Sequence, residues 1–249
     1  MMLISSLSFQ NQWLIAFGLN FLLVLIGQRF PLLTSSGWVH AGILGTILWG
    51  CLSWNAWLSV VIYLVLGSLV TKIGFSYKES LGIAEARGGR RGPENVWGSA
   101  ATGALIAIVI GLGIGSRELL LLGFSASFAA KLADTFGSEI GKRWGREAYL
   151  ITTFRSVPTG TDGAISIEGT LASVLGSLVM TFVMKCFSLI PSISSAFIVF
   201  IAGILATLLE SFIGALIQNR FKWLSNELVN FFQTTSAALF ALFFASFNF

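Results

Sequence analysis

The sequence predicts an all-α protein: a polytopic bundle of seven or eight transmembrane helices forming one domain over residues 1–249. Three observations predict it. Hydrophobic residues make up 55% of the chain and its mean hydropathy is +0.84, outside the range of soluble domains. The apolar residues come in continuous runs approaching or exceeding the roughly 17–25 that span a bilayer. A β-barrel would instead show alternating segments of about ten residues. Finally, the basic residues concentrate on alternate loops.

Residues 13–27 form the first expected span, stopped by Gln28, Arg29 and Pro31. The segment before it lacks a positively charged region and a cleavage site, so this run reads as a retained span and not a signal peptide. Residues 37–52 and 56–71 are the second and third spans, separated by the Ser53-Trp54-Asn55 break. A polar stretch, 72–97, precedes span four at 98–115. Arg117 and Glu118 mark a tight turn into span five, 119–141. A second polar stretch, 142–168, leads to span six at 169–190. Pro191 and Ser192 turn it into span seven, 194–218, and a basic loop at 219–227 enters span eight, 228–247. The shortest runs are marginal in length, which leaves seven spans as the alternative count.

Charge tests this division. The loops containing Arg29, 72–97, 142–168 and 219–227 fall on one side and hold 12 of the 15 Lys and Arg. The positive-inside bias assigns those loops to the cytoplasm and both termini to the other side. The same loops account for the pI near 9.3, so no nucleic-acid partner is expected. Cys51, Cys186 and a lone His40 offer no disulfide or zinc spacing, and His40 reads as structural. A faint echo between 134–144 and 210–223 is open to reading as an old duplication.

The chemistry concentrates in 131–173, which holds both aspartates, Asp134 and Asp162, with Glu139, Glu147 and Glu168. At about 100° per residue, Lys131, Asp134, Thr135, Ser138 and Lys142 share one helix face, with Glu139 at its edge. An ionised group inside the membrane costs about 2.5–3.5 kcal/mol on insertion scales. Either Lys131 and Asp134 neutralise each other and lock two helices, or the face is a wet row of oxygen ligands suited to Mg²⁺ with phosphates.

Two further clusters accompany it. In 72–97, Gly88, Gly89 and Gly92 allow close approach of backbone N–H groups to an anion. Arg87, Arg90 and Arg91 supply forked donors for phosphate oxygens, with Lys72 and Lys78 at the membrane edge. The alternative is a basic loop that only sets orientation or touches anionic lipid; no Walker A motif occurs. In 157–170, Pro158, Gly160 and Gly163 form a tight loop carrying Thr159, Thr161 and Asp162. Asp162 reads either as an Asx-turn residue or as a metal or nucleotide contact. Glu210, within span seven, either neutralises Lys131 or lines the same cavity, with Gln218, Asn226 and Asn230 at the edge.

Five ordered blocks lie within residues 72–235: KESLGIAEARGGRRGPENVWGSA, ADTFGSEIGK, TTFRSVPTGTDGAISIEGTLAS, ESFIGALIQ and NELVNFFQTT. Together they resemble the phytyl-phosphate kinase family of integral membrane proteins. The central block is also similar to that of CTP-dependent phytol and dolichol kinases, including Gly169, Thr170, Ala172 and Ser173. The resemblance implies phosphorylation of a phytyl or other isoprenoid monophosphate to its diphosphate, serving tocopherol and phylloquinone-type lipid synthesis. It implies a nucleoside triphosphate, CTP by analogy, and Mg²⁺. The site would face the cytoplasm from a plasma or thylakoid-type membrane.

By the same resemblance, Asp134 would bind metal, assisted by Glu139 or Glu210 and with Asp162 as a further contact, while Lys131 would act beside them. Lys72, Arg87, Gly88, Gly89, Arg90, Arg91, Asn95, Ser138 and Lys142 would hold phosphates. Thr161, Asp162 and Gly163 would shape the nucleotide loop, with Asn226 and Asn230 beside it. Glu210 and Glu227 stand where the family pattern leads one to expect Asp. A CTP-dependent lipid cytidylyltransferase and a secondary transporter with intramembrane carboxylates are the competing functions.

Overall fold

The computed structural model describes residues 9–218, 221 and 223–247. Within them run α1 (Phe9–Gly27), α2 (Ser35–Leu52), α3 (Trp54–Lys72), the six-residue α4 (Phe75–Ser80) and α5 (Pro93–Gly111). Then follow α6 (Arg117–Trp144), α7 (Ile167–Cys186), α8 (Ile193–Leu216) and α9 (Asn226–Ala245). Among the described residues six helices, α3 and α5 to α9, are long and apolar enough to cross a membrane, and Asn11–Gly27 is a shorter apolar helix. The all-α polytopic architecture is therefore the one expected. The first apolar run lies in α1, while residues 1–8 of the segment before it, read as lacking a positively charged region and a cleavage site, lie outside the described residues. So do Asn219, Arg220 and Lys222 of the third basic loop.

Hydroxyl caps open most of the long helices. Thr34, Ser116, Ser166, Ser192 and Ser225 each accept a hydrogen bond from a backbone N–H in the first turn of α2, α6, α7, α8 and α9, satisfying donors that no helical carbonyl reaches. Helix α5 starts at Pro93, five residues ahead of its apolar run. Proline is suited to a first helical position, and the Gly92 N–H donates to Asn95 Oδ1 at 2.9 Å. Polar residues of the loop thus become the first turn of a spanning helix.

Helix α6 is the axis of the bundle. It contacts α3, α5, α7, α8 and α9, and small residues make this possible. An added Cβ on Gly176 of α7 would stand 2.7 Å from the Leu132 carbonyl oxygen, and one on Gly203 of α8 would stand 3.2 Å from the Ala130 backbone nitrogen. Backbones approach this closely where helices pack without water. Large apolar side chains instead cover the outside: Leu14, Phe17, Leu171, Phe182, Phe197 and Leu239 are all more than half exposed, as a lipid-facing surface requires.

One segment read as loop carries strands. Within 142–168, β1 (Ala148–Leu150), β2 (Ser156–Val157) and β3 (Ala164–Ile165) form an antiparallel sheet in the order β2-β1-β3. Strands of two or three residues leave no alternation to detect. His40 is structural, accepting a hydrogen bond at Nδ1 from Trp97 Nε1 at 2.9 Å.

Candidate active site

One cavity of about 330 Å³ opens where the first turns of α5, α7 and α9 meet the last turns of α6 and α8. Its wall includes Lys131, Asp134, Thr135, Ser138, Glu139 and Lys142 from α6, confirming the shared helix face. Arg87, Gly89, Arg90, Arg91 and Asn95 come from the loop before α5 and its first turn. Thr161, Asp162 and Gly163 come from the turn before β3, Glu210 from α8, and Asn226 and Asn230 from α9. Three helix N-termini at one cavity favour bound negative charge.

Lys72 and Gly88 are the two candidates outside the wall. The Lys72 ammonium donates to the Gly88 carbonyl at 2.7 Å, so it braces the glycine turn and does not point a charge inward. Lys78 also departs from the reading that placed it among free charges at the membrane edge. It is fully buried, ion-paired with Glu139, and donates to the Thr71 carbonyl at 3.0 Å.

On α6, Lys131 pairs with Asp134 and donates to Asn230 Oδ1 at 2.9 Å. Lys142 lies 4.0 Å from Glu139 and 3.4 Å from Glu85. Glu139 therefore divides its carboxylate between two lysines. Glu210 lines the same cavity, while the ion pair of Lys131 is with Asp134. Asp162 is exposed and accepts no hydrogen bond from the described residues, which removes the Asx turn.

The arginine loop is held at several points. Arg87 (φ 56°), Gly88 (66°) and Gly89 (78°) are successively left-handed, a run that glycine makes cheap. Arg87 pairs with Glu94 and donates to Asn95 Oδ1 at 2.9 Å, while Asn95 Nδ2 donates to Glu227 Oε1 at 3.2 Å. Asn95 thus ties the loop to α9. The Arg91 backbone pairs with the α1–α2 connection, its N–H donating to the Leu32 carbonyl at 3.1 Å and its own carbonyl accepting from the Thr34 N–H at 3.0 Å. Its side chain donates to Tyr63 Oη at 3.0 Å. Opposite, Gly163 (φ 73°) presses its backbone on α8, where an added Cβ would stand 2.5 Å from the Ser211 carbonyl oxygen.

Sequence reasoning missed Tyr63, Glu85, Thr207, Ser211 and the Lys78–Glu139 pair. Tyr63 carried one signal, the single phenol within an apolar span; the others meet only through tertiary packing.

Five basic and six acidic side chains line the cavity: Arg87, Arg90, Arg91, Lys131 and Lys142 against Glu85, Asp134, Glu139, Asp162, Glu210 and Glu227. Several of these carboxylates are already paired with lysines, and a cation would offset the rest for a bound polyanion. Among the described residues no three His, Cys, Asp or Glu form a ready-made metal group. Magnesium bound with phosphates needs just one or two carboxylates, and Asp134 and Glu210 are placed on this wall where they could hold it.

Residues 18–238 match the family described as integral membrane protein DUF92. Over 233 residues the chain is 46% identical to the uncharacterized membrane protein sll0875 of Synechocystis, covering 92% of this chain and 90% of that one. It is 40% identical to the chloroplastic protein VTE6 of Arabidopsis thaliana, over 92% of this chain and 71% of that one. The uncharacterized membrane protein MJ0933 of Methanocaldococcus jannaschii is 32% identical over 85% of each chain. No solved structure matches.

Proposed function

The chain belongs to the DUF92 family of integral membrane proteins, and from that premise we propose that it is a prenyl-phosphate kinase. It transfers the γ-phosphoryl group of a nucleoside triphosphate, CTP on the family analogy, to phytyl or a related isoprenoid monophosphate. The products are the prenyl diphosphate and a nucleoside diphosphate. The family membership bears out the resemblance carried by the five sequence blocks. The observation supporting the reaction is the joining, in one cavity, of three arginines, two lysines and a set of carboxylates at helix N-termini.

The chemistry suits this wall. A phosphate monoester oxygen is already a nucleophile, so no side chain need remove a proton. It attacks the γ-phosphorus as the bond from that phosphorus to the β-bridging oxygen breaks, and the nucleoside diphosphate leaves with the bonding pair. Catalysis is then positioning and charge neutralisation. Arg87, Arg90 and Arg91 hold phosphate oxygens with forked donors. Lys142 adds a charge at the opposite wall, and Lys131 steadies the Asp134 carboxylate. The Thr161–Gly163 turn and Asn226 border the nucleotide, with Ser138 beside the phosphates. Asp134 with Glu210 or Asp162 would hold Mg²⁺, which when bound would supply neutralisation of phosphate charge. Glu139, already shared by Lys78 and Lys142, is the weaker ligand. The site faces the cytoplasm by the distribution of basic loops.

Purified protein given phytyl phosphate, Mg²⁺ and each nucleoside triphosphate tests the reading. Prenyl diphosphate with nucleoside diphosphate is the expected product pair. Pyrophosphate release with the nucleotide retained on the lipid would establish the cytidylyltransferase instead. Solute flux in sealed vesicles without nucleotide turnover would establish the transporter.

A further inference from the structure

Arg91 stands where two cavities meet. The second, of about 260 Å³, lies among α1, α2, α3 and α5 and is walled mostly by apolar side chains. It shares Arg91, Asn95 and Ser99 with the polar cavity. Away from that edge its wall includes Ile26, Phe30 and Val65, which are 43%, 54% and 40% exposed. It therefore opens sideways on the surface that faces lipid.

We infer that this second cavity holds the isoprenoid chain of the substrate, which enters laterally from the bilayer and places its phosphate at Arg91. The inference rests on the kinase reading in taking a prenyl phosphate as the ligand. A prenyl phosphate joins a dianion to a long apolar chain through a single ester bond. Its site needs a fixed cation at the border of an apolar chamber, because burying the charge unpaired is costly.

Arg91 meets that need. Both its backbone groups are bonded to the α1–α2 connection. Its guanidinium carbon lies 5.5 Å from the Tyr63 ring centroid while Nη1 donates to Tyr63 Oη. Gly67 leaves the space this requires, since an added Cβ would stand 2.6 Å from Arg91 Nη2. A guanidinium has five N–H donors, and one is engaged by Tyr63, leaving others for phosphate. The rival route for the chain leaves the polar cavity past Val174, Ile204 and Leu208, towards the lipid-facing side of α7 and α8.

The test uses the full chain in lipid nanodiscs and a prenyl monophosphate bearing a diazirine midway along its tail. Irradiation without nucleotide, followed by peptide mapping, is expected to mark α2 and α3 near Ala41 and Leu64, and phytyl phosphate should suppress the marking. Adducts at Val174 or Leu208, or adducts that phytyl phosphate does not suppress, overturn the inference. Ala41→Trp supplies a second reading. It should raise KM for phytyl phosphate about ten-fold more than for short dimethylallyl phosphate; an equal effect on both overturns the inference. Absence of diphosphate product from every prenyl phosphate overturns the kinase reading alone, because the adduct map requires no turnover.

Discussion

Lys78 of α4 and Glu139 of α6 form an ion pair whose side chains are 0% and 2% exposed. The pair docks a six-residue helix, too short to persist unaided, against the axis of the bundle. Lys78→Ala leaves a carboxylate buried beside Lys142 alone, and breaking such a pair costs about 3–5 kcal/mol. Thermal unfolding in detergent should show a clear drop in Tm. The double variant Lys78→Met/Glu139→Leu should recover most of it, since apolar replacement of both partners removes the uncompensated charge.

Asp134→Asn keeps the size of the side chain but removes the charge that both Lys131 and a bound magnesium would meet. Loss of one electrostatic contributor of this kind costs about 10²–10³ in kcat. Steady-state kinetics with phytyl phosphate should show that loss, and turnover within two-fold of wild type would exclude Asp134 from the mechanism.

Arg90→Ala removes a guanidinium that lines the cavity and whose recorded bond is Nε to the Arg87 carbonyl at 3.2 Å. A hydrogen bond to a charged group contributes about 1.5–3 kcal/mol, so kcat/KM for the nucleotide should fall roughly 10- to 150-fold. Raising ionic strength should weaken the wild type more than the variant, because the variant has less charge to screen.

Gly163→Ala tests the nucleotide turn. The residue sits at φ 73° against α8, where alanine is strained by conformation and by contact. A destabilisation above about 1 kcal/mol is expected, with a raised KM for the nucleotide. Substituting the exposed Gly82, whose added Cβ would meet nothing within 4 Å, separates the effect of positive φ from that of contact.

Magnesium removal should be reversible. Chelation should abolish turnover and re-addition restore it, while prenyl-phosphate photolabelling near Ala41 persists. Persistence is expected because Arg91, and not the carboxylate wall, borders that chamber. Measuring labelling and turnover on the same sample decides it.

Much of the site was legible because helical periodicity is a local property. The spacing of Lys131, Asp134, Thr135, Ser138 and Lys142 places them on one side of any α-helix, and the cavity wall contains all five. The arginine loop was legible by composition. Lys78 was not, since its partner lies 61 positions away and no local pattern distinguishes a buried lysine from a free one. Lys72 was misplaced for a similar reason: its role depends on where the Gly88 carbonyl turns. The three short strands carry too few residues to announce themselves. The meeting of Asp134 and Glu210 depends on how α6 and α8 pack, which their separate sequences do not specify.

The enclosure of α6 has a consequence for how the protein is made. The ribosome delivers this helix before α7, α8 and α9, three of the partners that surround it. A nascent chain extending only to Trp144 would expose Lys131 and Asp134 to lipid, where ionised groups are costly. Asn230, which helps hold Lys131, emerges almost a hundred residues later. Within α6 the two groups have only each other, and the remaining partner of Lys131 is complete only once α9 has been made. The polar residues on the α6 wall of the cavity thus gain their last partner from the final helix of the chain.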